Sequence, residues 1–256
     1  MLLSARTFEE LHDHLPALNV EVPPHPAPRR DTPEFYTVVR VLGTVPFSPG
    51  DFPLQLAKGE SPDFTLQLAD RSIGIEHTEA VPENTAKERS LRATLGSGFH
   101  FISPAAVDEP KKSSKQLLQE IKADRLPEPM VGDSVERGWA EAIRHFIEKK
   151  LKIAQKPGYR PHDEQWLAIY DNWPSPALEL QHAVALLQEQ LVTRDPFGVF
   201  DRIFILTREV MVELARDHAL FHRLNHCRPA THARTGRRQI SPSVRCGRLR
   251  PRHLFR

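Results

Sequence analysis

Apolar and polar residues alternate along two neighbouring segments of the chain, residues 63–68 and 72–78. A period of two is typical of strands that bury one face. Only three residues separate the segments, so the pattern predicts a β-hairpin. On its second strand, one face carries Ile73, Ile75 and His77, and the other carries Gly74, Glu76 and Thr78.

A period of three to four residues marks the longest amphipathic segment, residues 135–155, and predicts a helix with one buried face. Its apolar stripe consists of Trp139, Ala142, Ile143, Phe146, Ile147, Leu151 and Ala154. Extending this stripe places Lys150 on the buried face and leaves Lys149 and Lys152 off it. A buried ammonium group requires a charge partner, and the carboxylates of the predicted hairpin are candidates for that partner.

Further segments complete an alternation of strands and helices. β-Branched and aromatic residues predict strands at 35–41, 166–170 and 202–206. Helical spacing predicts helices at 5–15, 84–95, 113–125, 177–192 and 209–224. With residues 79–134 taken as an insertion, the order is helix, three strands, helix, strand, helix, strand, helix. This order predicts an α/β fold with a mixed central sheet flanked by helices.

Composition narrows the class of protein. Apolar residues make up 39% and charged residues 27% of the 256 residues, as in soluble globular domains. No run approaches the ~18 apolar residues of a membrane-spanning helix, and the first ten residues lack the pattern of a secretory signal. Two cysteines, Cys227 and Cys246, exclude a disulfide scaffold and a four-cysteine zinc module. We therefore expect a cytoplasmic protein without a membrane partner.

Charge is distributed unevenly along the chain. Ten arginines and no lysine or acidic residue lie between Arg223 and Arg256, so residues 1–222 carry a net charge of −8 although the whole chain carries +2. The basic balance therefore says nothing about nucleic-acid binding by the folded body. We predict one domain over 1–224 and, over 225–256, an Arg-rich disordered tail that binds polyanions without selectivity.

Three histidines recur every four residues near the end of the last predicted helix. They are His218, His222 and His226, and Cys227 follows them directly. Such spacing on a helix suits zinc, but no acidic residue completes the set. We therefore predict a polar helix face here rather than a metal site.

The hairpin carries a resemblance to a known family. Pro62-Asp63 begins its first strand, and Glu76 lies in its second, within a predicted order of helix, strands, helix and strand that runs from Phe35 to Tyr170. In these features the chain resembles the PD-(D/E)XK nuclease superfamily. The resemblance implies a restriction-endonuclease-like core, in which the two carboxylates meet at one edge of the sheet.

The resemblance also implies metal-assisted hydrolysis of phosphodiester bonds. The carboxylates of Asp63 and Glu76, with the backbone carbonyl of His77, would hold Mg²⁺ or Mn²⁺, since these ions prefer hard oxygen ligands. The metal would make a hydroxide available near neutral pH and neutralise charge that develops on phosphorus. Glu60, three residues before Asp63, is a candidate additional ligand.

One position departs from the pattern of the superfamily. The family places a lysine two residues after the second carboxylate, and this chain has Thr78 there. Some branches of the superfamily supply the lysine from the following helix instead. We therefore expect Lys150 to act near the attacking water or the phosphate oxygens, and keep Thr78 as a candidate site residue.

These residues predict a Mg²⁺-dependent nuclease that acts on DNA. The oligomeric state stays open, and a homodimer is one possibility. One alternative is a catalytically degenerate nuclease fold used as a binding module, which Thr78 and the charge of −8 favour. Another is an unrelated soluble α/β protein in which the Pro-Asp dipeptide and the glutamate are accidental. A metal-binding titration separates them, because only the nuclease requires a metal at Asp63 and Glu76.

Overall fold

Eight strands and six α-helices make up the part of the chain that the computed structural model describes, residues 1–18, 31–95, 105–123, 130–157, 159 and 162–224. The strands are β1 (Leu3–Ala5), β2 (Leu54–Lys58), β3 (Phe64–Gln67), β4 (Ser72–Ala80), β5 (Glu164–Asp171), β6 (Arg202–Leu206), β7 (Val210–Leu214) and β8 (Ala219–Arg223). The helices are α1 (Phe8–Ala17), α2 (Asp31–Leu42), α3 (Glu83–Leu95), α4 (Ser114–Ala123), α5 (Ser134–Ala154) and α6 (Leu180–Leu191). The predicted α/β fold is confirmed.

All eight strands form one open mixed sheet, in which they lie side by side in chain order. Strands β1 to β4 pair antiparallel, β4, β5 and β6 pair parallel, and β6, β7 and β8 pair antiparallel again. The two parallel pairings require crossovers. The first crossover contains α3, α4 and α5, and the second contains α6.

Helices cover both faces of the sheet, and each face has its own apolar core. The core on the side of α1 and α2 includes Leu11, Val38, Leu56, Phe64, Leu66, Ile73 and Ile75. The core on the side of α5 and α6 includes Trp139, Ile143, Leu167, Ile169, Val184, Leu187 and Ile203. Consecutive residues of β4 and β5 therefore point alternately to the core beside α1 and α2 and to the core beside α5 and α6. This alternation decides which helices each polar side chain of these strands faces.

The predicted strand over 35–41 is wrong, because this segment lies within α2. The helix packs across β4, β5 and β6, and a broad buried surface accepts β-branched residues such as Val38 and Val39. Thr37 is fully buried, and its hydroxyl donates to the carbonyl of Pro33 at 2.7 Å, one helical turn earlier. That bond satisfies the hydroxyl within the helix, so tertiary packing outweighs strand propensity here.

The predicted helix over 209–224 is also wrong, because this segment forms the β7–β8 hairpin. Residues 211–214 are all buried, so β7 lacks the alternation that would mark a strand in sequence. The turn closes through a hydrogen bond from the amide of Ala215 to the carbonyl of His218 at 3.0 Å. The polar helix face predicted from the histidine spacing therefore does not exist at His218 and His222, while His226 and Cys227 lie outside the described residues.

The other predicted elements are confirmed, with bounds that differ by a few residues. They are the β3–β4 hairpin and the elements α1, α3, α4, α5, β5, α6 and β6. Two strands, β1 and β2, were not predicted from the sequence. Three consecutive antiparallel strands, β2, β3 and β4, still precede α5, with α3 and α4 between β4 and α5. The first of these strands is β2 and not 35–41.

Two further predictions concern the ends of the chain and the membrane. The predicted tail over 225–256 lies outside the described residues. Of the helices described, none combines the length and apolar composition required to cross a membrane.

Candidate active site

The β3–β4 hairpin places Asp63 and Glu76 beside each other. Phe64 pairs with Ile75, so Asp63, immediately before β3, lies next to Glu76 in this antiparallel register. Both side chains are on the α5 face, because Phe64 and Ile75 belong to the core on the opposite face. The amide of Gly59 donates to the carbonyl of Asp63 at 2.9 Å and closes the turn that leads into β3.

Lys150 completes the cluster from α5. Its Nζ donates to Glu76 Oε2 at 2.6 Å and to Asp63 Oδ2 at 3.2 Å. The side chain of Glu76 is only 4% exposed, whereas those of Lys150 and Asp63 are 15% and 24% exposed. The lysine that continues the apolar stripe therefore points at both carboxylates, and we call Asp63, Glu76 and Lys150 the carboxylate–lysine cluster.

The neighbouring lysines of α5 lie outside this cluster. Lys149 and Lys152 are both exposed, as their positions off the apolar stripe predict. The helix thus directs one of three nearby ammonium groups at the carboxylates, and the other two at solvent. This difference supplies a matched control for experiments on Lys150.

The electrostatics of the cluster reflect two carboxylates that share one ammonium group. Burial raises the pKa of the Glu76 carboxyl; Lys150 opposes this rise, and the nearby charge of Asp63 adds to it. Burial alone would lower the pKa of Lys150, but hydrogen bonds and charges of Glu76 and Asp63 outweigh burial and raise it. When all three groups are ionised, the cluster therefore carries one uncompensated negative charge.

His77 contributes its backbone to the cluster. Its amide donates to Asp63 Oδ2 at 2.7 Å and helps to fix the orientation of that carboxylate. Its side chain is on the opposite face of β4, where burial lowers the pKa of the imidazole to about 3 and keeps it neutral. Within the described residues, Nε2 of this ring is buried without a hydrogen-bond partner.

Two polar residues near the cluster were not predicted from the sequence. The hydroxyl of Tyr159 donates to Oε1 of Gln165 at 3.1 Å, and Gln165 pairs with Gly74 on the neighbouring strand. Burial and the negative charge of Glu76 raise the pKa of Tyr159, which keeps its hydroxyl protonated. In the described part of the chain, Nε2 of the buried Gln165 has no hydrogen-bond partner.

Gly74 lets these groups approach the hairpin closely. A Cβ atom at this position would lie 2.6 Å from Gln165 Oε1 and 2.7 Å from His162 Cδ2. Both distances are shorter than any ordinary contact, so a larger residue would displace Gln165 or His162. No sequence motif links positions 74, 159 and 165, because only the path of the chain between α5 and β5 brings them together.

The two remaining candidates from the sequence are less closely connected to the cluster. Glu60 is exposed in the turn before β3, and Thr78 is half-buried two residues after Glu76 on the same strand face. In the described residues, no hydrogen bond or ion pair joins either side chain to Asp63, Glu76 or Lys150. The structure brings together Asp63, Glu76, Lys150 and the backbone of His77, and leaves Glu60 and Thr78 outside.

The donor atoms of the cluster fit a hard divalent cation that keeps part of its water shell. One cation, the ammonium of Lys150, already reaches both carboxylates at once. Mg²⁺ is typically bound by one or two carboxylates, with water completing its coordination. Among the described residues, no group of three or more His, Cys, Asp and Glu side chains is placed to hold a metal. Two carboxylates alone do not supply the three or four protein ligands that zinc requires.

Comparisons with known proteins do not add to this description. No protein-family model, curated protein or solved structure matches the chain. No relative therefore assigns a role to any of its residues. The chemistry of the site follows from its own geometry: two adjacent carboxylates, one ammonium group bound to both, and a protonated phenol near Glu76.

Proposed function

We propose that the protein is a Mg²⁺- or Mn²⁺-dependent nuclease that hydrolyses phosphodiester bonds in DNA. The observation that carries the proposal is the position of Lys150, whose Nζ lies 2.6 Å from Glu76 and 3.2 Å from Asp63. Two carboxylates that can bind a metal, with a lysine beside them, can together support metal-assisted phosphodiester hydrolysis.

The order of elements supports the resemblance to the PD-(D/E)XK superfamily. The segment runs from α2 through β2, β3 and β4 to α5 and β5, with α3 and α4 between β4 and α5. If α3 and α4 are assigned to the insertion over 79–134, the remaining order is helix, three strands, helix, strand. Asp63 lies at the start of the second of these strands and Glu76 within the third, as the superfamily pattern requires. Because 35–41 is helical, α2 is the helix that precedes these strands and β2 takes the place of the predicted first strand. We propose a restriction-endonuclease-like core on this basis.

Each residue of the cluster has a distinct role in the proposal. Asp63 and Glu76, with the backbone carbonyl of His77, would hold the divalent cation. When bound, the cation would lower the pKa of a coordinated water and balance charge on the phosphate. Lys150 would orient and stabilise the phosphate oxygens through its ammonium group. The backbone amide of His77 holds Asp63 in place through Oδ2.

A second candidate function is that of a binding module with the same fold but without catalytic activity. Lys150 already bonds to both carboxylates, so the cluster can join α5 to the hairpin without any metal. Thr78 stands where the superfamily has its lysine, and residues 1–222 carry a net charge of −8. These observations favour a binding module in which the cluster is purely structural.

A cleavage assay separates these two functions. Plasmid and single-stranded DNA would be incubated with the protein in Mg²⁺ and, separately, in excess chelator. We expect Mg²⁺-dependent cleavage that falls about 100-fold or more in Asp63→Asn. Asp70→Asn, which makes the same change at an exposed position of the same hairpin, is the matched control and keeps full activity. Absence of Mg²⁺-dependent cleavage by the wild-type chain, or equal cleavage by Asp63→Asn, contradicts the nuclease function.

A further inference from the structure

A pocket of about 310 Å³ lies at the carboxyl ends of β4 and β5, apart from the carboxylate–lysine cluster. Val81 follows β4 and Trp173 follows β5, and both line the pocket. Helix α5 contributes His145, Phe146 and Lys149, while residues 106–111 and the start of α3 supply the opposite wall. The volume is at the lower end of the range for small-ligand sites.

Aromatic rings form one side of this pocket. The rings of Phe146 and Trp173 are 6.4 Å apart at 71°, and those of His145 and Phe146 are 5.5 Å apart at 90°. Burial, together with the nearby charge of Lys149, lowers the pKa of His145, so the imidazole is neutral at pH 7. Phe146 and Trp173 are each only 9% exposed, so the exposed ring of His145 presents the flat, uncharged surface that a nucleobase can contact.

Lys149 supplies the positive charge at this pocket. It is exposed, and in the described residues no carboxylate lies within ion-pair distance of it. The other lysine of the lining, Lys111, is bound to Glu83 at 2.7 Å. An unpaired ammonium beside aromatic rings matches a nucleotide, which presents a phosphate next to a flat base.

The pocket is connected to the carboxylate–lysine cluster through two elements. On α5, Lys149 of the pocket directly precedes Lys150 of the cluster. On β4, Glu76 lies five residues before Val81, which corresponds to about 17 Å of strand. The pocket and the cluster thus share α5 and β4, so a nucleotide strand bound at the cluster can extend to the pocket.

We propose that this pocket receives an unpaired nucleobase of the substrate strand, with a flanking phosphate on Lys149. This inference rests on the proposed function, because it names the substrate class of the nuclease as DNA with single-stranded character. The same base and phosphate also occur in a free mononucleotide, and the experiment distinguishes the two sources.

The test is equilibrium binding in excess chelator, where no cleavage takes place. Fluorescence anisotropy of the full chain would compare a labelled 12-nucleotide thymidine strand with a strand of equal length that lacks all bases. We expect the wild-type chain to bind the base-bearing strand at least tenfold more tightly. Unlabelled thymidine monophosphate, added as a competitor, should displace the strand only at concentrations far above the Kd of the strand.

Charge reversal on α5 gives a matched pair of variants. Lys149→Glu should raise the Kd of the base-bearing strand at least tenfold, whereas Lys152→Glu, an exposed position on the same helix, should change it less than threefold. Ala106→Trp, which fills the pocket from an exposed position of its lining, should remove the preference for bases. Unchanged thermal melting of each variant confirms that it is folded.

Several results would overturn the inference. The wild-type chain could fail to bind the strand, or could bind strands with and without bases equally tightly. Lys149→Glu and Lys152→Glu could weaken binding equally. Free mononucleotide could displace the strand at a concentration close to the Kd of the strand. None of these results depends on catalysis. If the chain binds as expected but fails to cleave DNA with Mg²⁺, the result supports the nucleobase pocket and contradicts the nuclease function.

Discussion

Two glutamates of the same sheet, Glu76 on β4 and Glu213 on β7, are almost equally buried but differ in their charge partners. Their side chains are 4% and 5% exposed. Glu213 accepts hydrogen bonds from Arg202 Nη1 at 3.2 Å and from His222 Nε2 at 2.8 Å. Glu76 shares the single ammonium of Lys150 with a second carboxylate, Asp63.

The surroundings of Glu213 and Glu76 differ in the number of carboxylates relative to basic groups. Two basic side chains surround Glu213, so its negative charge is compensated within the protein. At Glu76 the carboxylates outnumber the ammonium groups. Burial is the main cause of the raised pKa of Glu76, Lys150 opposes the rise, and the charge of Asp63 adds to it. Burial of a charged residue is therefore weak evidence of function, whereas two carboxylates that share one ammonium group are the basis of the metal site proposed above.

The largest expected effect is on catalysis. Lys150→Ala should lower kcat for Mg²⁺-dependent DNA cleavage about 100- to 1,000-fold, because the variant loses the ammonium that stabilises the reacting phosphate. Lys152→Ala removes the same charge from an exposed position of α5 and should leave kcat within twofold. The two variants are compared under saturating substrate, with melting temperatures measured alongside. Equal kcat values would exclude Lys150 as a catalytic residue.

A third carboxylate, Asp171, extends the comparison to a group that has no basic partner among the residues that the structure describes. It accepts hydrogen bonds from Trp139 Nε1 at 2.8 Å and from the amide of Trp173 at 3.1 Å. Burial raises the pKa of this carboxyl to about 6, although these hydrogen bonds oppose the rise. The folded state thus binds its proton more tightly than the unfolded chain does, whose pKa is about 3.9.

The free energy of unfolding should therefore contain a contribution from Asp171 that is full below about pH 4 and is lost as the pH rises from there through about 6. The loss amounts to no more than about 3 kcal/mol. Asp171→Asn does not titrate and should flatten this part of the pH profile in urea denaturation, whereas Asp70→Asn should not. A profile of Asp171→Asn that runs parallel to wild type between pH 4 and 7 contradicts the prediction.

The smallest expected effect is the difference in stability between the two glutamate variants. Without metal, Glu213→Gln should lower the free energy of unfolding by about 1–2 kcal/mol, because Arg202 and His222 lose their anionic partner. Glu76→Gln should change it by less than about 0.5 kcal/mol, since Lys150 keeps Asp63 and one of two like charges disappears. Chemical denaturation in chelator measures both variants. A larger loss of unfolding free energy in Glu76→Gln than in Glu213→Gln would contradict this explanation.

Local patterns in the sequence predict the parts of the fold and site that depend on neighbouring residues. The hairpin register follows from alternation and a short turn, so the pairing of Asp63 with Glu76 could be anticipated. The apolar stripe of α5 orients Lys150 in the same way, because helical geometry fixes which side of the helix it occupies. These two local rules were sufficient to bring three side chains together.

The rest depended on tertiary packing, which a single sequence does not reveal. The valines of α2 favour a strand locally, yet the breadth of the sheet makes a buried helix more stable there. Strand β7 has no alternation because both of its faces are covered. Tyr159 and Gln165 are placed by the path between α5 and β5, and the pocket around Lys149 requires α3, α5 and residues 106–111 to meet.

Calorimetric titration of Mn²⁺ into the full chain tests the central proposal most directly, because the proposal is that the carboxylates of Asp63 and Glu76 bind a divalent cation. The account predicts a metal site on each chain that is lost in Asp63→Asn and in Glu76→Gln and is kept in Glu213→Gln. Absence of binding to the wild-type chain, or binding that survives both Asp63→Asn and Glu76→Gln, would contradict it.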